Sequence, residues 1–473
     1  MTRTDRRGTP ARIVASPTVP TLGTAVDRRA FLLLAATAAL AACSGDDGAS
    51  PDGPAITDAP SPPGGTAPDG ERAGEIAGAA SRRVADPDEA AAATATMNQL
   101  GGRMYADLLG RIDDPNLVFS PASVAIALAM TRAGALGATA TEMDDVLAVD
   151  DATTLHRSMN ALTAALADRS GTFERGDDEV EVVLALANSL WAQAGLAFEQ
   201  EFLDVLSGEY GAGLRVVDYE DDAEGARVAI NDWVDDETRG RIPSLIGQGV
   251  LGPMTRLVLV NAVYLKAPWA DAFPEGRTSD ETFTTLDGDL VDVPTMTDER
   301  SLPYAEGDGW RAVEIPYVNG DLAMVLVLPD LEHQFAERVV GGVLDEVVAA
   351  LVRTRVLLRF PRFDIGTSTS LRPTLEALGM PVAFTDDADF SAMTTEEPLA
   401  ISDVVHEANI TVDEDGTEAA AATAVVMEAT SDAEPDEPVE IVFDRPFVFA
   451  LRDRSTGAIT FLGRIGDPSA SRG

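Results

Sequence analysis

Residue types that commonly perform catalysis are scarce in this chain and are not spaced for it. The only imidazoles are His156, His333 and His406, so a general base or a catalytic triad would have to use one of these three. His406 begins the sequence His-Glu-Ala-Asn, but no second histidine follows at the spacing of a zinc-protease helix. The only cysteine is Cys43, which excludes a disulfide framework and a cysteine-based zinc site. The sequence therefore predicts that the protein is not an enzyme and that it needs no metal or cofactor.

Residues 414–430 suggest a function that depends on a change in backbone structure and not on catalysis. They read Glu-Asp-Gly-Thr-Glu-Ala-Ala-Ala-Ala-Thr-Ala-Val-Val-Met-Glu-Ala-Thr. Alternate residues of a strand point to opposite faces, and one face here would be small or apolar, with Thr417, Ala419, Ala421, Thr423, Val425, Met427 and Ala429. Glu418 and Glu428 would lie on the other face with their charges directed to solvent, so insertion into a sheet would bury no ion. An alanine-rich helix is the alternative, because alanine is the best helix former.

An acidic, proline-bearing stretch at residues 432–438 follows this segment and predicts an exposed loop. A segment that suits both a loop and a central strand is a candidate conformational switch.

The elements that must position this segment indicate one mixed α+β domain over residues 92–473. Apolar residues recur at helical spacing over residues 97–112, and Ser120 followed by proline is typical of a helix start. Thr139 and Glu142 form a capping-box pattern for a third helix. Runs typical of strands follow at 180–186, 257–265, 322–328, 356–360, 439–443, 447–451 and 459–462. Helices come mostly first and strands mostly later, which favours an α+β architecture.

Residues 1–43 are predicted to be an export segment. An apolar run of about 13 residues ends at Cys43, too short to span a bilayer but suited to a signal peptide. Arg28 and Arg29 precede the run as in a twin-arginine signal, and Leu-Ala-Ala-Cys resembles the lipidation site of prokaryotic lipoproteins. We expect lipidation at Cys43 and an extracellular, cell-surface location. An ordinary cleaved signal or a buried N-terminal helix is the alternative.

Residues 44–91 are predicted to be a disordered tether between membrane and domain. They are rich in Gly, Pro, Asp, Ala and Thr, and such a composition buries too little apolar surface to offset the entropy of ordering.

The charge of the chain limits its partners. With 35 basic and 79 acidic residues the net charge is −44, which excludes nucleic-acid binding because that binding depends on neutralising phosphates. An acidic surface of this kind suits either a saline habitat or a genome with biased codon usage.

Ordered blocks along the chain resemble the serpins, the serine-protease inhibitor family. The most specific block is the hinge, residues 401–406 followed by 413–424. Further blocks occur in family order at 116–121, 187–191, 230–234, 257–264, 445–447 and 461–464, with Lys266, Trp269 and Phe273. The resemblance covers residues 92–468. It implies a serpin fold of three β-sheets and about nine helices, with an exposed reactive loop at about 414–438.

The resemblance implies a suicide mechanism. The target protease would attack a loop carbonyl and form an acyl-enzyme, and the cleaved loop would then insert into the main sheet before water could release the protease. An inserted strand of about 15 residues would be on the order of 50 Å long. The hinge matches the inhibitory members through Glu414, Gly416, Thr417, Glu418, Ala419, Ala420, Ala421 and Ala422. A non-inhibitory serpin, acting as a surface binding or chaperone-like lipoprotein, is the alternative.

The position of the cleaved bond follows from the family's spacing. Counting forward from Glu414 places it between Thr430 and Ser431, which suits elastase-like or subtilisin-like proteases with a shallow apolar pocket. Counting back from the C-terminal block gives a position a few residues later, so the loop is longer than in common members. Cleavage between Glu428 and Ala429 by a Glu-specific protease is the alternative. A trypsin-like target is disfavoured, because the loop has no lysine or arginine.

The resemblance also implies roles for residues outside the loop. Ser120, Ser123, Asn261 and His406 match the polar cluster beneath the opening of the main sheet, and Trp269 matches the aromatic residue where the loop enters it. We group these five as the sheet-opening cluster. The expected partner is a target serine protease in covalent complex with a monomeric inhibitor, and contact with the membrane is expected only through the lipid anchor.

Overall fold

The computed structural model describes residues 73–330, 338–339, 342–418 and 437–470, all of which lie in one compact unit, Thr66–Gly473. This part of the chain contains eight α-helices: α1 (Ala90–Leu109), α2 (Pro121–Arg132), α3 (Gly137–Leu147), α4 (Ala152–Ala167), α5 (Gln200–Val205), α6 (Tyr219–Glu237), α7 (Val343–Ala350) and α8 (Arg372–Leu378). Ser120 caps α2 by accepting the Ser123 N–H at 3.1 Å, and Pro121 occupies the first turn. None of the helices described is long and apolar enough to cross a bilayer.

The capping box predicted for α3 is wrong. The helix begins at Gly137, two residues before Thr139, and its N-cap position is Leu136. The Thr139 hydroxyl accepts the Asp389 N–H at 2.8 Å, and the Glu142 carboxylate accepts the Val382 N–H at 2.9 Å. Both side chains therefore bind backbone N–H groups of a distant segment. They are not available to cap the N-terminus of α3.

Seventeen strands are described. They are β1 (Ala73–Ile76), β2 (Leu117–Phe119), β3 (Gly171–Arg175), β4 (Asp178–Gln193), β5 (Leu214–Val217), β6 (Leu257–Pro268), β7 (Ser279–Thr284), β8 (Leu290–Gly307), β9 (Trp310–Pro316), β10 (Leu322–Pro329), β11 (Val352–Pro361), β12 (Phe363–Ser370), β13 (Asp403–Val412), β14 (Gly416–Thr417), β15 (Val439–Val442), β16 (Phe447–Asp453) and β17 (Ile459–Ile465). The first sheet has the order β1-β5-β4-β6-β14-β13-β12, with β3 attached to β4.

The second sheet has nine strands in the order β15-β11-β8-β9-β10-β16-β17-β2, with β7 attached to β8. Strand β8 pairs in succession with β7, with β11 and, at its end, with β9. This 18-residue strand therefore joins two groups of strands into one hydrogen-bonded sheet. The described residues thus form two sheets and eight helices, where the resemblance implies three sheets and about nine helices.

Apolar side chains gather into two clusters. The larger contains residues of both sheets and of α1 to α4, which explains why the strands at its centre are apolar on successive positions. The smaller lies between α6 and one face of the first sheet. It includes Ile230 and Val234 of α6, and it also holds Val258 and Val260 of β6 and Val405 of β13.

The end of the predicted tether differs from expectation. Ala73–Ile76 form β1, which pairs antiparallel with β5 at the edge of the first sheet. Arg83 then donates hydrogen bonds to Glu209 at 3.0 Å and to Glu89 at 2.9 Å. Glycine and alanine in β1 permit this pairing because a backbone ladder on an open sheet edge requires no bulky side chain. The prediction of disorder failed for these residues because it rested on side-chain composition. Composition does not show that the backbone can pair with the edge strand of a sheet.

Candidate functional site

The site is a fork in the first sheet between β6 and β13. These strands pair in parallel over six residues, from Val258 opposite Asp403 to Val263 opposite Ala408. Beyond that point they separate, and β14 fills the gap: Thr417 lies opposite Val412 of β13 and opposite Ala267 of β6. The paired part is called the seam below. Strand β14 is antiparallel to both neighbours, so its direction leads down towards the seam.

Gly416 is required where β14 enters the fork. Its φ angle is +151°, and a Cβ at this position would lie 2.3 Å from the carbonyl oxygen of Ala267. Because real Cβ contacts are never that short, any larger residue would push the hinge out of the sheet.

An aromatic stack holds the core-facing side of β14. The Thr417 side chain is fully buried, and its hydroxyl lies 2.7 Å from that of Tyr317. Tyr317 stacks on Trp269 with ring centroids 4.6 Å apart, and burial raises the pKa of the Tyr317 phenol. Trp269 Nε1 donates to the carbonyl of Asp413 at 3.0 Å, so the stack fixes both ends of the turn that leads into β14.

Three acidic residues form that turn. The Asp413 carboxylate accepts the N–H groups of Asp415 at 2.9 Å and of Gly416 at 3.2 Å, and burial raises its pKa. Glu414 is buried, and its carboxylate accepts hydrogen bonds from Thr278 and from the guanidinium of Arg362. The turn is therefore fixed by its own backbone amides and by two arginines. Arg362, between β11 and β12, binds Glu414, and Arg175 of β3 donates to the carbonyl of Asp415 at 3.3 Å and lies 3.5 Å from its carboxylate.

Glu418 ends the inserted segment. Its N–H donates to the carbonyl of Thr411 at 3.1 Å, but its φ angle of +51° turns the chain out of the strand conformation. Its side chain is only 3% exposed and lies 3.3 Å from Arg241. Arg241 approaches from the connection between α6 and β6 and covers this charge. The sequence prediction that the charge points to solvent concerns Glu418 in an inserted strand, which is not its conformation here, and it stays a prediction.

Polar side chains lie beneath the seam on the core-facing side. The backbone N–H of Ser120 donates to His406 Nε2 at 3.1 Å, and Asn261 donates to Asn188 Oδ1 at 3.1 Å. His406 is opposite Asn261 in the seam. Burial lowers the pKa of His406 from 6.5 to about 3, so the ring is neutral at neutral pH and its proton is on Nδ1. Among the described residues, His406 Nδ1, Asn261 Oδ1 and the hydroxyl of Ser123 have no hydrogen-bond partner.

The opposite face of the seam is covered by α6 and the connection that follows it. Ile242, Leu245 and Ile246 of this connection pack with Val258, Val260 and Val405, which lie on the two sides of the seam. Asn231 of α6 fixes the connection, since its side chain accepts the Ile246 N–H at 2.8 Å and donates to the Ile246 carbonyl at 3.0 Å. Opening the seam must therefore disturb this cover.

The structure brings the nine predicted site residues that it describes into two places. Ser120, Ser123, Asn261 and His406 lie together beneath the seam, whereas Trp269 lies one residue beyond the end of β6 at the hinge, near Glu414, Gly416, Thr417 and Glu418. Cys43, Ala419, Ala420, Ala421, Ala422, Glu428, Ala429, Thr430 and Ser431 lie outside the described residues.

Sequence reasoning missed Arg241, Thr278, Tyr317, Arg362 and Asn188. Each is distant in the sequence from the hinge or seam residue that it contacts. Their roles become visible only through these contacts in the folded protein. One signal could have found Arg362: a buried carboxylate such as Glu414 needs a cationic partner. No described group of three or more His, Cys, Asp or Glu residues is arranged to hold a metal ion.

Comparisons with known proteins agree with this geometry. The family described as "Serpin (serine protease inhibitor)" has a model that matches residues 95–468. The chain is 36% identical over 370 residues to an uncharacterized serpin-like protein of Thermococcus kodakarensis, covering 77% of this chain and 83% of that protein. It is 34% identical over 365 residues to leukocyte elastase inhibitor A of Mus musculus, covering 75% and 93%.

Solved structures are similar as well. The thermophilic serpin tengpin in its native state superposes with a TM-score of 0.71 at 26% identity, covering 84% of this chain and all of that one. Thyroxine-binding globulin in complex with thyroxine gives a TM-score of 0.69 at 25% identity, covering 80% and 99%.

Proposed function

The chain belongs to the serpin family and has its α+β fold, and from this premise we propose that it is a suicide inhibitor of serine proteases. Relatives at 34% identity include leukocyte elastase inhibitors, which supports serpin-type protease inhibition and a role other than catalysis. The finer proposal is that inhibition is covalent and irreversible, and that the target is an elastase-like or subtilisin-like protease.

The fork carries this proposal. Two hinge residues already form a strand between β6 and β13, and that strand runs antiparallel to both of them. If the same strand continued, the residues after Glu418 would pass between β6 and β13 along the seam. Thr417 is on the core-facing side, so alternation would direct Ala419, Ala421 and Thr423 to that side as well.

Insertion would exchange one set of backbone hydrogen bonds for two. The seam is a parallel ladder of six residue pairs, and a strand between its two sides would form antiparallel ladders with both. Each added backbone hydrogen bond contributes about 0.5–1.5 kcal/mol net, and antiparallel ladders are slightly more stable than parallel ones. The uncleaved loop is held at both ends, so cleavage would be the event that releases its N-terminal part to insert.

Trapping follows from the order of these steps. The protease serine would attack the carbonyl of the reactive residue, forming an ester and releasing the amine end of the C-terminal fragment. Insertion would then carry the esterified protease along the sheet before water hydrolyses the ester. This chain would supply no catalytic group, because the nucleophile and the base belong to the target.

The loop sequence supports the target class. Thr430 followed by Ser431 is the preferred bond, and Thr430 suits a shallow apolar pocket; Glu428 followed by Ala429 is the second candidate. No lysine or arginine is available in the loop for a trypsin-like protease.

The test is incubation of the purified full-length chain with elastase, subtilisin, a Glu-specific protease and trypsin. We expect elastase or subtilisin to form a complex that survives denaturant, with the mass of protease plus inhibitor less the C-terminal peptide. That peptide would begin at Ser431, or at Ala429 if the Glu-specific protease is the target. Thr430→Arg is the matched variant, and it should transfer complex formation to trypsin.

Cleavage of the loop by every protease, with no complex and undiminished protease activity, would contradict the proposal. The chain would then be a serpin-shaped surface binding or chaperone-like protein, the second candidate function.

We further propose that the protein is a monomeric, extracellular lipoprotein anchored through Cys43. Its support is the N-terminal sequence alone, in which paired arginines and an apolar run precede the cysteine. Expression in a bacterial host with and without Cys43→Ser tests this. We expect the wild-type chain in the membrane fraction, with a diacylglycerol mass on Cys43, and the variant released.

A further inference from the structure

The residue at the end of β14 stands at the branch point of the fork. Glu418 donates its N–H to Thr411 of β13, and its negative charge acts on Tyr264 of β6, one residue above the seam. Any further insertion must first move Glu418, because the next residues can enter the seam only after its φ angle leaves +51° for the strand region. Non-glycine residues pay a conformational penalty in the left-handed region, so some other contact must hold Glu418 there.

The carboxylate of Glu418 has such a contact. Its side chain is 3% exposed and lies 3.3 Å from the guanidinium of Arg241. The neighbouring phenol of Tyr264 has a raised pKa, first because of burial and second because of the charge of Glu418. The carboxylate is therefore shielded from water and forms an ion pair with Arg241.

Arg241 belongs to the cover of the seam. It precedes Ile242, whose side chain packs in the apolar cluster with Val258, Val260 and Val405. The ion pair thus joins the first residue that must move during insertion to the segment that closes the sheet on its outer face.

A second arginine in the same connection provides a natural comparison. Arg239 lies 3.0 Å from Glu181 of β4, and its side chain is 52% exposed, against 48% for Arg241. Glu181 also pairs with Lys266 of β6, so this second ion pair joins the cover to strands that lie on one side of the seam. Of these two ion pairs, only the pair of Arg241 includes a residue of the hinge.

We propose that the Glu418–Arg241 ion pair is a latch that holds the hinge at two inserted residues, and that Arg241 is a positioning residue for inhibition. The inference rests on the proposed function, since a serpin whose loop inserts before cleavage can no longer trap a protease. The latch keeps Glu418 in the turn conformation and keeps the cover over the seam until cleavage removes the tension of the intact loop.

The experiment measures insertion without any protease. The purified full-length chain is held at a temperature where it converts over hours to the inserted form, which is resolved on urea-gradient gels. Arg241→Gln and Glu418→Gln are each expected to shorten the lifetime of the native form about three- to tenfold, as loss of a partly buried ion pair would do. The double variant should show no further shortening, because both changes remove one interaction.

Two controls give the result its meaning. Arg239→Gln removes a similar charge from the same connection and should leave the lifetime unchanged. The exchange Arg241→Glu with Glu418→Arg should restore more than half of the lost lifetime, which a merely structural role of either residue would not do.

Equal effects of Arg239→Gln and Arg241→Gln, or unchanged lifetimes in both latch variants, would overturn the latch. Its failure is distinguishable from failure of the proposed function. A wild-type chain that forms covalent complexes while the latch variants convert at the wild-type rate contradicts only the latch, whereas altered lifetimes without any covalent complex contradict only the inhibitor proposal.

Discussion

At the scale of single residues, Glu414 fixes the turn that leads into β14. Its buried carboxylate accepts hydrogen bonds from Thr278 and Arg362. Glu414→Ala is expected to lower the free energy of unfolding by about 1–3 kcal/mol, as for other hydrogen bonds to charged groups. Because the Arg362 side chain is 43% exposed, water will replace part of the lost bond and keep the effect below that of a fully buried pair.

Urea unfolding of the full-length chain measures this change. The matched control is Glu376→Ala, which removes an exposed helix-surface pair with Arg372 and should cost less than about 0.5 kcal/mol. Equal losses for the two variants would show that Glu414 has no special role in the hinge.

His406 makes stability depend on pH. Its pKa is about 3 in the folded protein because of burial, against an ordinary value of 6.5. Between these values the unfolded chain binds a proton that the folded protein does not, so stability falls as pH falls from 6.5 towards 3. The slope is at most about 1.4 kcal/mol per pH unit, or about 2 kcal/mol between pH 6.5 and pH 5.

His156 adds a second contribution of the same sign, since burial lowers its pKa to about 4. Unfolding measured from pH 7 to pH 5 should therefore become less pH-dependent in His406→Gln and in His156→Gln, by a similar amount in each. Between pH 8 and pH 9, where both histidines are neutral in both states, each variant should run parallel to the wild type. A wild-type slope in His406→Gln below pH 6.5 would contradict the neutral, buried ring.

At the scale of elements, β14 depends on a glycine. In Gly416→Ala the new Cβ would meet the carbonyl oxygen of Ala267 at 2.3 Å, so the hinge must leave the fork and Thr417 must lose its contact with Tyr317. We expect more of the chain to be cleaved as a substrate, and the number of inhibitor molecules consumed per protease trapped to rise several-fold.

Gly379→Ala separates this clash from backbone strain. Gly379 has a φ angle of +115°, but a Cβ there would meet no atom within 4 Å. This control should lose stability while trapping protease as efficiently as the wild type. The element-scale argument fails if both variants trap protease equally well.

At the scale of the whole molecule, 79 acidic residues against 35 basic ones repel one another in the folded state. Raising NaCl from about 0.05 M to 1 M shortens the Debye length from roughly 14 Å to 3 Å, so we expect the melting temperature to rise by several degrees. Choline chloride should act equally if screening is the cause. Sucrose at matched osmolarity should act less, and an equal effect of sucrose would point to preferential exclusion instead.

The sequence by itself predicted the features that are local in the chain. The hinge motif, the alternation that directs Thr417 inward, the cap of α2 by Ser120 and the α+β order of elements all follow from residues within a few positions of one another. Such patterns record which face of an element is apolar and where glycine is needed. These patterns were sufficient to identify the family. The serpin family model matches residues 95–468, which agrees with the resemblance over residues 92–468 seen in the sequence.

Only the tertiary structure decided which residues meet. Glu414 is 52 residues from Arg362, and Thr417 is 100 residues from Tyr317. It was also the tertiary structure that ordered β1 on the sheet edge and buried the charge of Glu418 beneath Arg241. The physical reason is that periodicity fixes the direction of a side chain, whereas the partner that it meets depends on how sheets and connections pack, and charges and backbone edges are satisfied by whatever that packing brings near.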